Sequence, residues 1–365
     1  MPRRVLIAQK FASLGGAQKS LVHHLELIDR RRFEPRVVVS NEGWLTRELD
    51  RLRVPWSLMP FKHWGNLASL PANVLLVRRL RAYIRRHAID LMHANEHWVG
   101  PACQIAASKE GIPAVCQFRT GLEDLTPRRV RKYRYAEFDR VIVVADVLRR
   151  SLAPQLEHPD RVAVVRDGVE PFPNRRHQHG SRRIAITIGA IYEVKGQAKV
   201  LERALPWLKA SRRHYLVFVG GTRKDPAYVE KMKRVVTRHS LGRQVRFLGP
   251  REDVPRLLGM ADALVAYSTV EGIPRVVMEA MLAGLPVIVS NSAGMEEVVD
   301  GEVGRIVDFD DAANPLFAAL AEMSANPEKW RAMGRRGAAR AAERYSTHAM
   351  SKAIQGIYNE ILDGR

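Results

Sequence analysis

Two glutamates separated by seven residues are the first feature of this sequence that could do chemistry. They are Glu271 and Glu279, in the stretch EGIPRVVME. A carboxylate only accepts hydrogen bonds and can bind two hydroxyl groups at once, so it suits the vicinal diols of a sugar or a ribose. The alternative is a pair of ordinary surface glutamates, because such a spacing also arises by chance.

The residues around this pair predict where the two carboxylates lie. Residues 263–268, ALVAYS, are typical of a buried strand, and Pro274 suits the first position of a following helix. Glu271 therefore belongs to the loop at the carboxyl end of the strand. Glu279 lies about one and a half turns into the helix, near enough to its start to reach the same ligand.

Backbone amides before two predicted helices are candidates for binding an anion. Gly272 and Ile273 precede the helix that contains Glu279, where the helix dipole favours a group such as a diphosphate. Gly15 and Gly16 follow the first predicted strand, so their amides can approach a phosphate or an acceptor without an intervening side chain. A glycine turn without a binding role is the alternative for Gly15 and Gly16.

A repeated alternation of strands and helices predicts the elements that position these residues. The fold class is α/β: two doubly wound, Rossmann-like domains facing across a cleft, at 1–170 and 184–344, with residues 345–365 packing back on the first domain. Residues 171–183 are the predicted linker, since they contain two prolines and no apolar periodicity. The predicted strands are 5–9, 36–40, 91–95, 114–118, 140–146 and 162–168 in the first domain, and 183–189, 215–220, 244–249, 263–268, 285–290 and 304–309 in the second.

The net charge of +20 is spread over both halves and favours contact with a polyanion, which can be a nucleic acid, an anionic membrane surface or an acidic substrate. Arginines cluster at 77–87 and at 127–138, where they alternate with Tyr133, Tyr135 and Phe138. As helices these segments would show a cationic face beside an apolar or aromatic one, which suits an anionic membrane surface. A solvated face with extended arginines is the alternative.

The sequence predicts a cytoplasmic protein, peripheral on the inner face of the plasma membrane. It has no uninterrupted apolar run of about 18 residues, and the apolar run near the N-terminus is too short for a signal-peptide core. The two cysteines, Cys103 and Cys116, form no CxxC pair, which indicates a reducing compartment and no structural zinc.

Residues 272–308, GIPRVVMEAMLAGLPVIVSNSAGMEEVVDGEVGRIVD, strongly resemble the retaining, GT-B-fold glycosyltransferases of family four, also called group one, whose signature is two glutamates with seven residues between. Segments 13–20, 164–171, 188–196 and 245–272 resemble other parts of the family pattern in the same order. The resemblance implies transfer of a sugar, with retention at the anomeric carbon, from a nucleotide-sugar donor to a glycan or lipid-linked acceptor. It implies no required metal or other cofactor, and a place in bacterial cell-surface polysaccharide or lipopolysaccharide synthesis.

The resemblance also implies roles for individual residues. Glu279 would bind the ribose hydroxyls of the sugar nucleotide, and Glu271 would contact the transferred sugar. Gly189 belongs to the segment that looks like the phosphate-binding loop, and Lys195 of the same loop would meet the diphosphate as its negative charge grows. A solvated lysine in a turn is the alternative for Lys195.

Two positions depart from the family pattern. Where the family usually has Gly-Arg, this chain has Gly189-Ala190, so a second cation for the diphosphate is missing; Arg246 and Arg275 are candidates to replace it. Arg119 stands where the family often has a histidine. We expect Arg119 to contact a donor phosphate or an acceptor anion, with a structural ion pair as the alternative.

No metal site is predicted. His93, Asn95, Glu96 and His97 match no ligand spacing, and the DxD match at 308–310 is far from the predicted nucleotide loops. Rival functions are a nucleotide-sugar epimerase or phosphorylase of similar fold, and a non-catalytic nucleic-acid-binding protein. The sequence contains no recognisable nucleic-acid recognition module, so no nucleic-acid partner is expected.

Overall fold

The computed structural model describes residues 1–64, 67–170, 180–222, 225–268 and 274–364. The chain divides into two compact units, Met1–Gly168 with Thr347–Arg365, and Val169–Ser346. The predicted linker, 171–183, falls within the bounds of the second unit, and its residues 171–179 lie outside the described residues.

In the described part of the chain, the first unit is built on a parallel sheet. Its strands are β1 (Arg3–Gln9), β2 (Phe33–Val39), β3 (Trp56–Leu58), β4 (Leu91–Ala94), β5 (Ala114–Phe118), β6 (Arg140–Val143) and β7 (Val162–Val164). Their spatial order is β3-β2-β1-β4-β5-β6-β7. The helices of this part are α1 (Gly16–Leu27), α2 (Trp44–Arg51), α3 (Leu70–Arg86), α4 (Gly100–Glu110), α5 (Pro127–Lys132) and α6 (Asp146–Leu152).

The second unit is also built on a parallel sheet among the residues described. Its strands are β8 (Arg183–Ile188), β9 (His214–Val219), β10 (Val245–Phe247), β11 (Ala263–Ala266), β12 (Val287–Ser290) and β13 (Gly304–Val307), in the order β10-β9-β8-β11-β12-β13. Its helices are α7 (Gln197–Ala210), α8 (Pro226–Arg238), α9 (Val254–Gly259), α10 (Arg275–Leu282), α11 (Ala293–Glu296), α12 (Pro315–Ala325) and α13 (Pro327–Arg344).

The predicted fold class, two doubly wound parallel sheets, is confirmed, and each of the twelve predicted strands is present. The apolar runs form central strands because helices cover both sheet faces; Val5 to Ala8 of β1 are fully buried. Strand β3 was not predicted, since its three residues lie at a sheet edge and Leu58 is exposed. Strand order reverses between β1 and β4 and between β8 and β11, the places where such sheets bind ligands.

The last helix, α14 (Thr347–Asp363), belongs to the first unit and packs against α1. Its inner face enters the core with Met350, Ile354 and Tyr358. Inside that core, Nδ1 of His24 on α1 lies 3.0 Å from the Ser351 hydroxyl oxygen. The C-terminal segment is therefore an integral layer of the first unit.

Of the two arginine-rich segments, only the first forms the predicted helix. Segment 77–87 lies largely in α3, as expected. Segment 127–138 is not one helix: α5 ends at Lys132, and Arg134 adopts a left-handed conformation at φ 58°. Its aromatic residues, Tyr133, Tyr135 and Phe138, are buried, so the prediction of an aromatic surface there was wrong. Among the described residues, no helix is long and apolar enough to cross a bilayer.

Candidate active site

Lys195 lies in the loop between β8 and α7, at the end of a 3-10 turn over Glu193–Lys195. The next residue, Gly196, has φ 54°, and a Cβ atom there would lie 1.8 Å from a ring carbon of Tyr267. Tyr267 directly follows β11. Only glycine fits this contact, so the lysine loop packs closely on the residue that ends the neighbouring strand.

The turn that begins the lysine loop is fixed by the backbone of its neighbours. Gly189 has φ 147°, and its N–H donates to the carbonyl of Val219 at 2.9 Å. The amide of Ile191 donates to Gly221, also at 2.9 Å. A Cβ on Gly220 would lie 1.8 Å from the carbonyl oxygen of Gly189. The loops after β8 and β9 therefore form one closely packed backbone surface.

Serines connect the same edge to β12. The Ser268 amide donates to the Ser290 hydroxyl at 3.2 Å, and that hydroxyl donates to the Ser268 carbonyl at 3.1 Å. Ser268 in turn donates from its own hydroxyl to the Val194 carbonyl, 3.4 Å away. The structure thus brings the predicted loop of Gly189 and Lys195 to the carboxyl ends of β8, β11 and β12.

Glu279 lies on α10, and Pro274, predicted at the first position of this helix, is its N-cap residue one position earlier. Its Oε1 accepts a hydrogen bond from Nε of Arg275 at 3.0 Å, one helical turn earlier. Both side chains are mostly buried, 15% and 14% exposed, so the pair is shielded from solvent. A carboxylate has about four lone-pair sites, so this bond leaves Glu279 capacity to accept hydroxyl hydrogen bonds.

Four further predicted site residues are Glu271, Gly272, Ile273 and Arg246. Glu271, Gly272 and Ile273 lie outside the described residues. Arg246 is exposed on β10, an edge strand, and donates to the carbonyl of Gly242, which precedes that strand. Of the two candidates for the missing cation, Arg275 lies beside Glu279. The side chain of Arg246 instead contacts a residue before its strand.

In the first unit, Arg119 directly follows β5 and is mostly buried. Its Nε donates to Oδ1 of Asp167 at 3.2 Å. Its Nη1 donates to the carbonyl and side-chain oxygens of Asn95, at 2.5 and 3.1 Å. The structural ion pair, which was the alternative for Arg119 in the sequence analysis, is therefore present. Contact between Arg119 and a substrate anion stays a prediction.

Asn95 connects Arg119 to the end of β1, because its Nδ2 donates to Oε1 of Gln9 at 2.6 Å. Glu96 and Lys10 lie at the same edge. Burial raises the pKa of Glu96, while Gln9, Arg119 and Lys10 act in the opposite direction. Burial also lowers the pKa of Lys10, and Glu96 partly offsets this. Shifted pKa values such as those of Glu96 and Lys10 are most common at functional sites.

Gly15 and Gly16 stand at the start of α1, as predicted, with Gly15 at the N-cap. The backbone of Gly15 is extended, at φ −166°, a conformation that any residue can adopt. A Cβ there would lie 2.6 Å from Oε1 of Gln18, the end of a flexible side chain. The need for glycine is therefore weaker here than in the lysine loop.

The histidines near β4 have separate structural partners. Nδ1 of His93 lies 2.6 Å from the hydroxyl of Tyr358. His97 packs its ring against Trp98 and Tyr133. Burial lowers the pKa of His97 to about 3 and that of His93 well below its ordinary value, so both rings are neutral at physiological pH. Within the described residues, His93, Asn95, Glu96 and His97 form no common ligand set.

The DxD match also has local partners. Oδ1 of Asp308 accepts from the backbone amide of Asp310 at 2.8 Å, and the Asp310 carboxylate pairs with Lys199.

Sequence reasoning missed the residues that hold the first unit's edge together. Asp167 lies 48 residues from Arg119, and Asn95 lies 86 residues from Gln9. The one available signal was position, since each of these polar residues stands at or just after the end of a predicted strand.

Two family models match adjacent parts of the chain. "Glycosyltransferase Family 4" matches residues 14–171, and "Glycosyl transferases group 1" matches residues 171–340. The chain belongs to this glycosyltransferase family. The predicted family is therefore confirmed, and neither rival function is favoured.

Individual relatives resemble this glycosyltransferase over most of its length. Alpha-maltose-1-phosphate synthase of Mycolicibacterium smegmatis is 27% identical over 75% of this chain and 80% of its own. UDP-Gal:alpha-D-GlcNAc-diphosphoundecaprenol alpha-1,3-galactosyltransferase of Escherichia coli is 24% identical over 86% and 87%. The crystal structure of Anabaena HepE in complex with UDP and glucose is 20% identical, covers 98% of this chain and all of its own, and has a TM-score of 0.82. This last likeness confirms the GT-B fold.

Proposed function

We propose that this glycosyltransferase moves a sugar from a nucleotide-sugar donor to a glycan or lipid-linked acceptor, with retention at the anomeric carbon. The second unit would bind the donor and the first the acceptor. One observation carries the donor assignment: the loop of Gly189 and Lys195 is packed against the end of β11, where the strand order of the second sheet reverses. The Escherichia coli relative is named for a UDP-sugar substrate, which supports the same donor class.

Each donor-side residue has a proposed role that follows from its chemistry. Lys195 would neutralise the diphosphate as the glycosidic bond breaks, when the leaving group becomes more negative. Glu279 would accept hydrogen bonds from the ribose diol, with Arg275 limiting the charge of the carboxylate. Glu271 would contact the transferred sugar, with the amides of Gly272 and Ile273 beside the diphosphate. Protein cations and amides would stabilise the leaving group without a metal or another cofactor.

The proposed reaction proceeds by positioning and electrostatics. The diphosphate departs, positive charge develops at the anomeric carbon, and the acceptor hydroxyl enters on the same face. The departing diphosphate can take the hydroxyl proton, so no side chain has to act as a general base. Because the acceptor enters directly on the face that the diphosphate leaves, no side chain has to act as a covalent nucleophile either. The products are the glycosylated acceptor and a nucleoside diphosphate.

A thermal-shift panel of sugar nucleotides tests the donor class. Binding at about 100 times Kd stabilises a folded protein by about 2.7 kcal/mol, so a matching donor should raise Tm by several degrees. The Glu279→Gln variant should lose most of that shift, whereas the exposed Glu157→Gln variant of the first unit should keep it. The absence of a shift with every UDP-, GDP-, ADP- and dTDP-sugar would contradict the proposal.

An anionic membrane surface at the inner face of the plasma membrane is the proposed place of action. Helix α3 exposes Leu70, Val74 and Leu75 in its first half and Arg78 and Arg79 after them. Such a helix can insert its apolar end between headgroups while its arginines contact lipid phosphates. This surface would bring the first unit to a lipid-linked acceptor.

Sedimentation with vesicles tests this surface. Binding to phosphatidylglycerol vesicles should fall with added salt and should be absent with phosphatidylcholine alone. The Arg78→Ser/Arg79→Ser variant should bind about 30-fold more weakly, at about 1 kcal/mol per arginine. Replacing Arg234 and Arg238 on α8 in the same way is the matched control. Equal binding of both variants would rule out α3 as the contact.

A further inference from the structure

Four charged side chains at the carboxyl edge of the first unit's sheet have charges that cancel. We call Lys10, Glu96, Arg119 and Asp167 the Glu96 cluster. Arg119 is paired with Asp167, and its charge also acts on Glu96. Glu96 and Lys10 also act on each other, since Lys10 lowers the pKa of Glu96 and Glu96 raises that of Lys10. The cluster therefore has two positive and two negative groups.

Neighbouring residues add no charge to the Glu96 cluster. Asn95 and Gln9 are neutral amides that link it internally. His93 and His97, three residues before and one residue after Glu96, are buried and neutral. These four neighbours therefore leave the charge of the cluster unchanged.

Polar atoms of this edge still lack hydrogen-bond partners. Oε2 of Glu96 and the hydroxyl of Thr120 are buried and have no partner among the described residues. A buried polar atom left without a partner costs about 1–3 kcal/mol, so such atoms indicate a missing ligand or water. Glu96 as a whole residue is half-buried. Phe11, which follows Lys10 in the chain, is 50% exposed. The Lys10 ammonium lies 5.0 Å from the centre of the Phe11 ring.

We propose that the Glu96 cluster is the acceptor subsite of this glycosyltransferase and that it selects an uncharged, hydroxyl-rich ring. Glu96 accepts hydrogen bonds from the acceptor hydroxyls, Thr120 adds a donor, and the exposed Phe11 ring packs against the apolar face of the sugar. Arg119 is a positioning residue that holds Asn95 and Asp167 in place. This inference rests on the proposed function, since it names the acceptor class for the same reaction.

Charge decides the class of acceptor. A phosphate placed at Glu96 would face a carboxylate, and like charges placed together at an interface cost several kcal/mol. The two cations of the cluster cannot offset this, because Arg119 is paired with Asp167 and Lys10 lies beside Glu96 itself. A hydroxyl group instead donates to the carboxylate and meets no repulsion. A phosphate elsewhere on the acceptor, away from this ring, is compatible with the subsite.

Saturation-transfer NMR with matched sugars tests the proposal. The probes are methyl α-glycosides of glucose, galactose, mannose and N-acetylglucosamine, each compared with its own 6-phosphate, in the presence of UDP. Wild-type protein should prefer at least one neutral member over its phosphate by about tenfold or more. The Glu96→Gln variant should lower that preference by about tenfold, because the cluster then has a net positive charge. A purely structural role for Glu96 would not change this ratio.

The matched control is Glu157→Gln, which removes the same charge from an exposed position of the first unit and should keep the wild-type ratio. Three results would overturn the proposal: no neutral sugar binds the wild-type protein, phosphates bind better, or Glu96→Gln leaves the ratio unchanged. The sugar-nucleotide panel separates these from failure of the proposed function. If a sugar nucleotide stabilises the protein and the ratio does not change, only the Glu96 subsite is wrong.

Discussion

The carboxyl edges of the two sheets are built in different ways. The edge of the second unit is shaped by backbone: Gly189, Gly196 and Gly220 adopt positive φ angles, and two of them allow contacts that no Cβ atom could enter. The edge of the first unit is shaped by buried side chains, with Arg119 held by Asn95 and Asp167. Backbone amides suit a diphosphate, which is common to many donors. A network of side chains can differ from one acceptor to the next.

We expect the largest effect on activity from replacing Lys195. Lys195 is the proposed cationic side chain at the edge of the second unit, which is otherwise built of backbone. Replacing it with alanine should lower kcat for sugar transfer by about 10²–10³-fold, the usual cost of removing one group that stabilises transition-state charge. Lys195→Arg should recover part of the loss, since the positive charge remains.

The control for this experiment is Lys209→Ala, at the exposed end of α7. Both variants should unfold at the wild-type temperature, as measured by circular dichroism. A kcat for Lys195→Ala within about threefold of that for Lys209→Ala would mean that backbone alone binds the leaving group.

Sequence predicts the second edge better than the first. The lysine loop is continuous in the chain, so its glycines and Lys195 can be read together, and the structure brings them to the expected strand ends. The Glu96 cluster joins residues that follow four different strands. Neither periodicity nor spacing connects Gln9 to Asn95, which link the cluster internally. The burial of Tyr133 and Tyr135 was missed for a related reason. A helical period was assumed through Arg134, where the chain turns left-handed.

A smaller effect is expected from adding one methyl group to the backbone-built edge. Gly196→Ala places a Cβ against the ring of Tyr267 and forces alanine to a φ of 54°. The combined strain and clash should lower the free energy of unfolding by about 2–3 kcal/mol. Relief requires moving Tyr267, so the apparent affinity for the donor should also fall.

Gly242→Ala is the matched change, because a Cβ there meets no atom within 4 Å. Urea denaturation followed by circular dichroism should separate the two variants. If both lose the same stability, the close contact between Gly196 and Tyr267 does not shape this edge.

The edge of the first unit, which is built of side chains, should instead lose stability in acid. Each buried histidine with a lowered pKa should reduce the free energy of unfolding by about 1.4 kcal/mol per pH unit. His97 has a pKa of about 3 in the folded protein, below its ordinary value of 6.5, mainly because it is buried. As pH falls from 6.5 towards 3, the unfolded chain binds a proton that the folded chain does not, so the free energy of unfolding decreases. Above pH 6.5 neither state is protonated and the contribution is constant.

His97→Phe should remove this one contribution, because the ring lies among Trp98, Phe118 and Tyr133 and its Nε2 has no partner among the described residues. Urea denaturation at several pH values, followed by tryptophan fluorescence, should give a slope smaller by about 1.4 kcal/mol per pH unit between pH 6 and 4. His158→Phe, at an exposed position, should keep the wild-type slope. An unchanged slope in His97→Phe would mean that His97 takes up its proton at the same pH in the folded and the unfolded protein. Below that pH a positive charge would stand next to Glu96, and the first edge would no longer be neutral there.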